Sequence, residues 1–155
     1  MFIDEIAALW NFGDPAQSEN RFWDALNVTT DSASRIEIQT QIARALGLQR
    51  QFDDAHALLD ETAIAPGASE HRPSILIAME RGRLFNSAGN RIDAVPLFEQ
   101  ALEIATSAGQ DALAVDAAHM LGIASPLEEQ LAWNERALAM AEAATQKRFP
   151  EREAT

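Results

Sequence analysis

The chain has 155 residues, of which 47% are hydrophobic, and it carries a formal charge of −12 and no cysteine. Length and apolar content suit one domain with its own core, while the missing thiols exclude disulfides and thiolate metal sites. The excess of carboxylates argues against nucleic acid and anionic membranes as partners, since both require a basic footprint.

The opening stretch MFIDEIAALWNF places Asp4 and Glu5 where a secretory leader has lysine or arginine. No apolar run approaches the roughly 18 residues of a membrane span. The expectation is a soluble, cytoplasmic protein, in which the Asn27-Val28-Thr29 sequon is a chance match. Lys147 is the only lysine among many arginines and alanines, a composition like that of a GC-rich bacterial genome.

Residues 2–12 predict a short helix with Ile3, Ile6, Ala7 and Trp10 on one face, ended by Gly13. Asp14, Pro15 and Gln17 form a capping box with proline at the first helical position, and Phe22, Ala25 and Leu26 follow on one stripe. After a polar connection over 28–34, a helix over 34–48 carries Ile36, Gln39, Ile42, Ala43 and Leu46. Its partner over 52–66 carries Ala55 and Leu59 and closes at Pro66.

The clearest pair is next. Leu76, Met79, Gly82, Phe85 and Ala88 recur with helical spacing up to Gly89-Asn90, which suit a left-handed helix end. Ala94, Phe98, Ala101, Leu102 and Ala105 then form a second stripe. The bare Gly82 and the small Ala94 and Ala101 let the two axes approach to the lower end of the usual ~8–10 Å, and Phe85 and Phe98 fill the seam. Pro96 is expected to delay or kink the second helix. Residues 110–123 give another helix, with Leu121 and Gly122 at its small-residue site. Ser125, Pro126 and Glu128 read as a further capping box for a last helix to about 147. Its inner face is expected to carry Leu131, Asn134, Ala137, Leu138 and Ala141, and 148–155 form a disordered tail.

Gly82 and Phe85 in the first helix of the clearest pair, and Ala94, Phe98 and Ala101 in the second, resemble the signature of the tetratricopeptide repeat. Phe22, Ala25 and Leu26 match Phe98, Ala101 and Leu102, with Ser18 in the place of Ala94. Ala43, Leu46, Ala55 and Leu59 supply another match, and Gln130 and Asn134 depart from the pattern in the last unit. The resemblance implies an all-α fold, a right-handed superhelix of about four antiparallel pairs (2–27, 34–66, 72–108, 110–147) in one domain over 1–147. The step from Ala55 to Ala94 exceeds the family's roughly 34-residue period. An ordinary helical bundle is the alternative and is equally all-α.

Little in the sequence points to chemistry. Asp116 and His119 lie three apart on one helix, but two ligands make no metal site. Ser32 and Ser125 read as helix caps, and no glycine-rich phosphate loop is present. No catalytic residue, cofactor or metal is expected.

The resemblance implies a protein-binding groove lined by the first helix of each pair. Projected onto this sequence, that face carries Glu37, Thr40, Gln41 and Arg44, then Met79, Glu80, Arg83 and Asn86, then His119 and Met120. Gln41, Arg44, Met79, Arg83, Asn86, His119 and Met120 are the expected partner contacts. The arginines and Asn86 suggest a carboxylate-bearing protein segment as ligand, although Glu37 and Glu80 could instead neutralise them. No lysine stands in the groove to form the carboxylate clamp of the family's chaperone-tail binders. A second hypothesis is a structural homo-oligomer, such as a homodimer, assembled through Trp23 and Trp133. Each lies one residue, hence about 100°, away from the inner stripe. An enzyme with no recognisable motif is a third.

Overall fold

A computed structural model describes residues 2–149. The fold is all-α, with helices α1 (Ile3–Ala7), α2 (Pro15–Val28), α3 (Ser32–Leu48), α4 (Phe52–Ala63), α5 (His71–Ser87), α6 (Arg91–Ser107), α7 (Asp111–Ala124) and α8 (Leu127–Arg148). From α2 to α8 each helix packs on the next, and α1, α3, α5 and α7 also touch one another in series.

Turn chemistry sets this arrangement. Helices α3, α5 and α6 end alike, with a left-handed residue after the cap: Arg50, Gly89 and Gly109, at φ 61°, 84° and 68°. After α5, the Asn90 N–H donates to the Phe85 carbonyl at 2.8 Å and the Gly89 N–H to that of Asn86 at 3.0 Å. These two bonds satisfy carbonyls left over at the helix end and reverse the chain within a few residues. Helix α2 has no such residue, and Arg35 donates to the carbonyls of Leu26 and Thr29 at 2.9 and 2.8 Å instead.

Burial follows the repeated stripe. Ser18, Phe22, Ala25 and Leu26 on α2 and Ala94, Phe98, Ala101 and Leu102 on α6 are all buried. Ser18 differs in using its hydroxyl as a clasp, accepting from Asn11 N–H at 2.8 Å and donating to the Asn11 carbonyl at 2.9 Å. The core forms two clusters, one centred on α2–α4 and one on α5–α8, with α5 contributing to both through Leu84 and through Ile75, Ala78 and Met79.

Several sequence expectations change. The first helix stops at Ala7 and continues as turns through Trp10, so Gly13 does not end it. Pro96 does not delay α6, which begins at Arg91. Pro96 and Ile92 are both exposed, so water can reach the Ile92 carbonyl that loses its donor. Asp14 caps α2 by accepting from Gln17 N–H at 3.0 Å, but the Gln17 side chain bonds Asn11 rather than closing the box. Asp31, not Ser32, caps α3. Ser125 does not cap α8; it is fully buried behind Pro126. On α8 Ala137 faces inward while Leu131 and Leu138 point outward, because the inner stripe runs through Gln130, Trp133, Ala137, Met140 and Ala144. Helix α8 includes Arg148, Phe149 is exposed, and the rest of the expected tail lies outside the described residues.

Candidate functional site

Helical spacing puts Glu37, Gln41 and Arg44 on one face of α3, and Leu76, Met79, Glu80 and Arg83 on one face of α5. These faces and Leu113 and Asp116 of α7 meet the N-terminal segment around a cavity of about 290 Å³. An adjoining cavity of about 220 Å³ is lined by α3, α5 and α7, including Asn86 and Met120. Arg44, Glu80 and Arg83 form the wall common to both.

Glu80 is the centre of this wall. Its side chain is 2% exposed, and Oε1 accepts from Arg83 at 2.6 Å. Arg83 also donates to Asp116 Oδ2 at 2.9 Å, so its guanidinium fork is closed on two carboxylates. Burial pushes the Glu80 carboxyl above its ordinary range, and the Arg83 and Arg44 charges pull it back. Burial works against the Arg83 charge, but Glu80 and Asp116 more than offset it and leave its pKa raised. Glu80 Oε2 is buried and has no hydrogen-bond partner among the described residues.

Arg44 stands apart. Burial lowers its pKa, with Glu80 acting in the opposite direction, yet no ion pair or hydrogen bond engages it among the described residues. Its guanidinium instead lies 5.6 Å from the Trp10 ring centroid and 5.2 Å from that of Phe12, rings that stack on each other at 4.5 Å. Such contacts hold a cation while leaving its N–H edge available. The Trp10 indole is fixed in turn by donating to Gln41 Oε1 at 2.9 Å. Across the cavity Arg72 grips Glu37 through two bonds of 2.8 and 3.1 Å.

The cavities bring together most of the expected contacts. Gln41, Arg44, Met79 and Arg83 line the first, and Arg44, Arg83, Asn86 and Met120 the second. Met79 is 1% exposed and belongs to the core beneath the site. His119 is exposed and lines neither cavity, and Asp116 is held by Arg83 rather than joined to His119. Among the described residues no three metal-ligating side chains converge, and no helix is long and apolar enough to cross a membrane.

The two tryptophans expected on the outer surface differ, Trp23 being exposed and Trp133 partly buried. Trp133 is partly buried against the α5–α8 core, with Arg136 over its ring at 5.0 Å. Trp23 is 37% exposed and its indole donates to Glu19 at 2.9 Å.

Sequence reasoning missed Trp10, Phe12 and Arg72 as site residues. Periodicity places Trp10 only on one face of the first helix, and partners separated by 31 and 35 positions leave no periodic signal. Compared with known proteins, the chain matches no family model, no curated protein and no solved structure.

Proposed function

We propose that this chain is a tetratricopeptide-type repeat protein, coiled as a right-handed superhelix, that works as a non-enzymatic binding module. It takes up an extended segment of a partner protein along α3, α5 and α7. The observation that carries this reading is the pair of adjoining cavities across those helices, whose shared wall holds an arginine with no hydrogen-bonded partner among the described residues. A preformed concave surface, mostly apolar with a few directed polar groups, is what a bound side chain needs. The matched burial of α2 and α6 supports the repeat assignment.

The test is a selection of random linear peptides on the immobilised protein, followed by titration of the enriched peptide into isotopically labelled protein. Shifts centred on Gln41, Arg44, Asn86 and Met120 are expected. Failure to enrich any peptide, or shifts confined to α8, would overturn the groove reading.

The homo-oligomer reading has its own observation, on a different surface from the tryptophans. Leu127, Leu131 and Leu138 on α8 are 81%, 68% and 62% exposed, forming an uncovered apolar stripe. Light scattering across a concentration series that finds a dimer, dispersed by Leu131→Glu, would favour it.

A further inference from the structure

Two polar functions in the groove are left without hydrogen-bonded partners among the described residues, and they are of opposite kind. Arg44 offers N–H donors, and Glu80 Oε2 offers an acceptor. They do not pair with each other, since among the described residues Glu80 is bridged within 4.0 Å only by Arg83. A buried carboxylate oxygen without a donor is costly. Glu80 lines both cavities, which makes this oxygen a candidate for recognition rather than a packing accident.

The charge around the larger cavity decides what could satisfy both groups. Arg44, Arg72 and Arg83 face Glu37, Glu80 and Asp116, three cations against three anions. A carboxylate approaching Arg44 would enter the field of Glu80 and Asp116, and a cation approaching Glu80 would meet Arg44 and Arg83. At short range in a poorly hydrated site either penalty is substantial. A neutral group carrying an acceptor and a donor side by side meets neither. This argues against the carboxylate-bearing segment that the arginines alone suggest.

We propose that the groove recognises a neutral carboxamide, the side chain of an asparagine or glutamine in the bound segment. Its carbonyl oxygen accepts from Arg44 and its NH₂ donates to Glu80 Oε2. The apolar part of the segment rests on Leu76 and Leu113, which line the same cavity. At about 290 Å³ the space is many times the ~30 Å³ that one water takes up in the liquid. This inference rests on the groove reading, but its probe needs no peptide.

The experiment is a titration of labelled protein with four unbranched five-carbon compounds that differ at the head: pentanamide, pentanoate, pentylammonium and 1-pentanol. The Trp10 indole and Arg44 guanidinium N–H signals report on the site. Pentanamide should move both saturably and bind about tenfold more tightly than the others, the equivalent of one hydrogen bond to a charged group. Arg44→Met should remove that advantage while leaving the melt of the protein close to wild type. Glu80→Gln should turn the preference toward pentanoate, and if it fails to fold, Arg44→Met carries the test alone.

Equal or tighter binding of pentanoate would show Arg44 acting by itself on anions and would overturn the proposal. So would equal binding of 1-pentanol, which would mean that water serves the two polar groups and only the tail is recognised. If groove-binding peptides are found but are not enriched in asparagine or glutamine and pentanamide does not bind, the amide proposal falls while the groove reading stands.

Discussion

Gly82 and Gly122 occupy equivalent places in successive helix pairs, and the structure predicts opposite outcomes for the same substitution. A Cβ on Gly82 would lie 2.6 Å from Phe98 Cε1 and 2.9 Å from Cδ1 and Cζ, against the ~3.5–4.0 Å of an ordinary carbon contact. Phe98 is fully buried, so the ring must retreat by about 1 Å into packed neighbours. Overpacking of this kind costs roughly 1–3 kcal/mol, and the helix propensity of alanine over glycine returns about 1 kcal/mol. Gly82→Ala should therefore destabilise by about 1 kcal/mol, lowering Tm by roughly 2–4 °C in a chain of this size, and Gly82→Leu by about 3 kcal/mol. At Gly122 the added atom would meet the amide of Asn134, an exposed side chain that can swing into solvent. Gly122→Ala should be neutral or stabilising by up to about 1 kcal/mol. Urea unfolding followed by circular dichroism measures both. A Gly82→Ala protein as stable as wild type would refute the close approach of α5 and α6, and a strong loss at Gly122 would refute the mobility of Asn134.

Arg50→Gly should stabilise by up to about 1 kcal/mol, since Arg50 is held at φ 61° where a side chain is strained, whereas Gly89→Ala should destabilise by a similar amount; unfolding midpoints give both signs. Burial raises the Glu80 carboxyl from 4.5, so the folded state binds the proton more tightly than the unfolded chain. Its contribution is then fully present below about 4.5 and is lost as pH rises through the folded value. Relative to Glu80→Gln, wild type should lose stability across that window, and parallel stability curves from pH 4 to 8 would contradict the burial argument.

The all-α fold and its helix order were legible because their determinants are local. Apolar spacing and Gly89 give α5 and α6, and the repeated placement of Phe22 and Phe98 gives the equivalence of α2 and α6. Boundaries were legible only where a single residue type governs them, as at Asp14. Ser125 failed as a cap because the chain turns there with Pro126 at the boundary and the serine inside. Leu131 and Leu138 failed because α8 packs on one side only, so an apolar residue on its other face has nothing to bury against.

The site was legible as a face and not as a network. Periodicity places Arg44 and Arg83 on neighbouring helices facing one space, but it cannot say which of them is already engaged. That depends on Asp116, which stands 33 positions from Arg83. With Glu80 on one side and Asp116 on the other, Arg83 is a strut of the site. Arg83→Glu would set three carboxylates together at a position whose side chain is only 17% exposed, and breaking such a buried pair costs ~3–5 kcal/mol. A loss of binding in that variant would report unfolding. Arg44 is held by rings rather than carboxylates, so trimming it removes donors while the carboxylates stay paired. Recognition in this groove should therefore be tested at Arg44, and integrity of the α5–α7 contact at Arg83. A variant series in which Arg44→Met loses as much stability as Arg83→Met would show that the two arginines share the structural role and that this division is wrong.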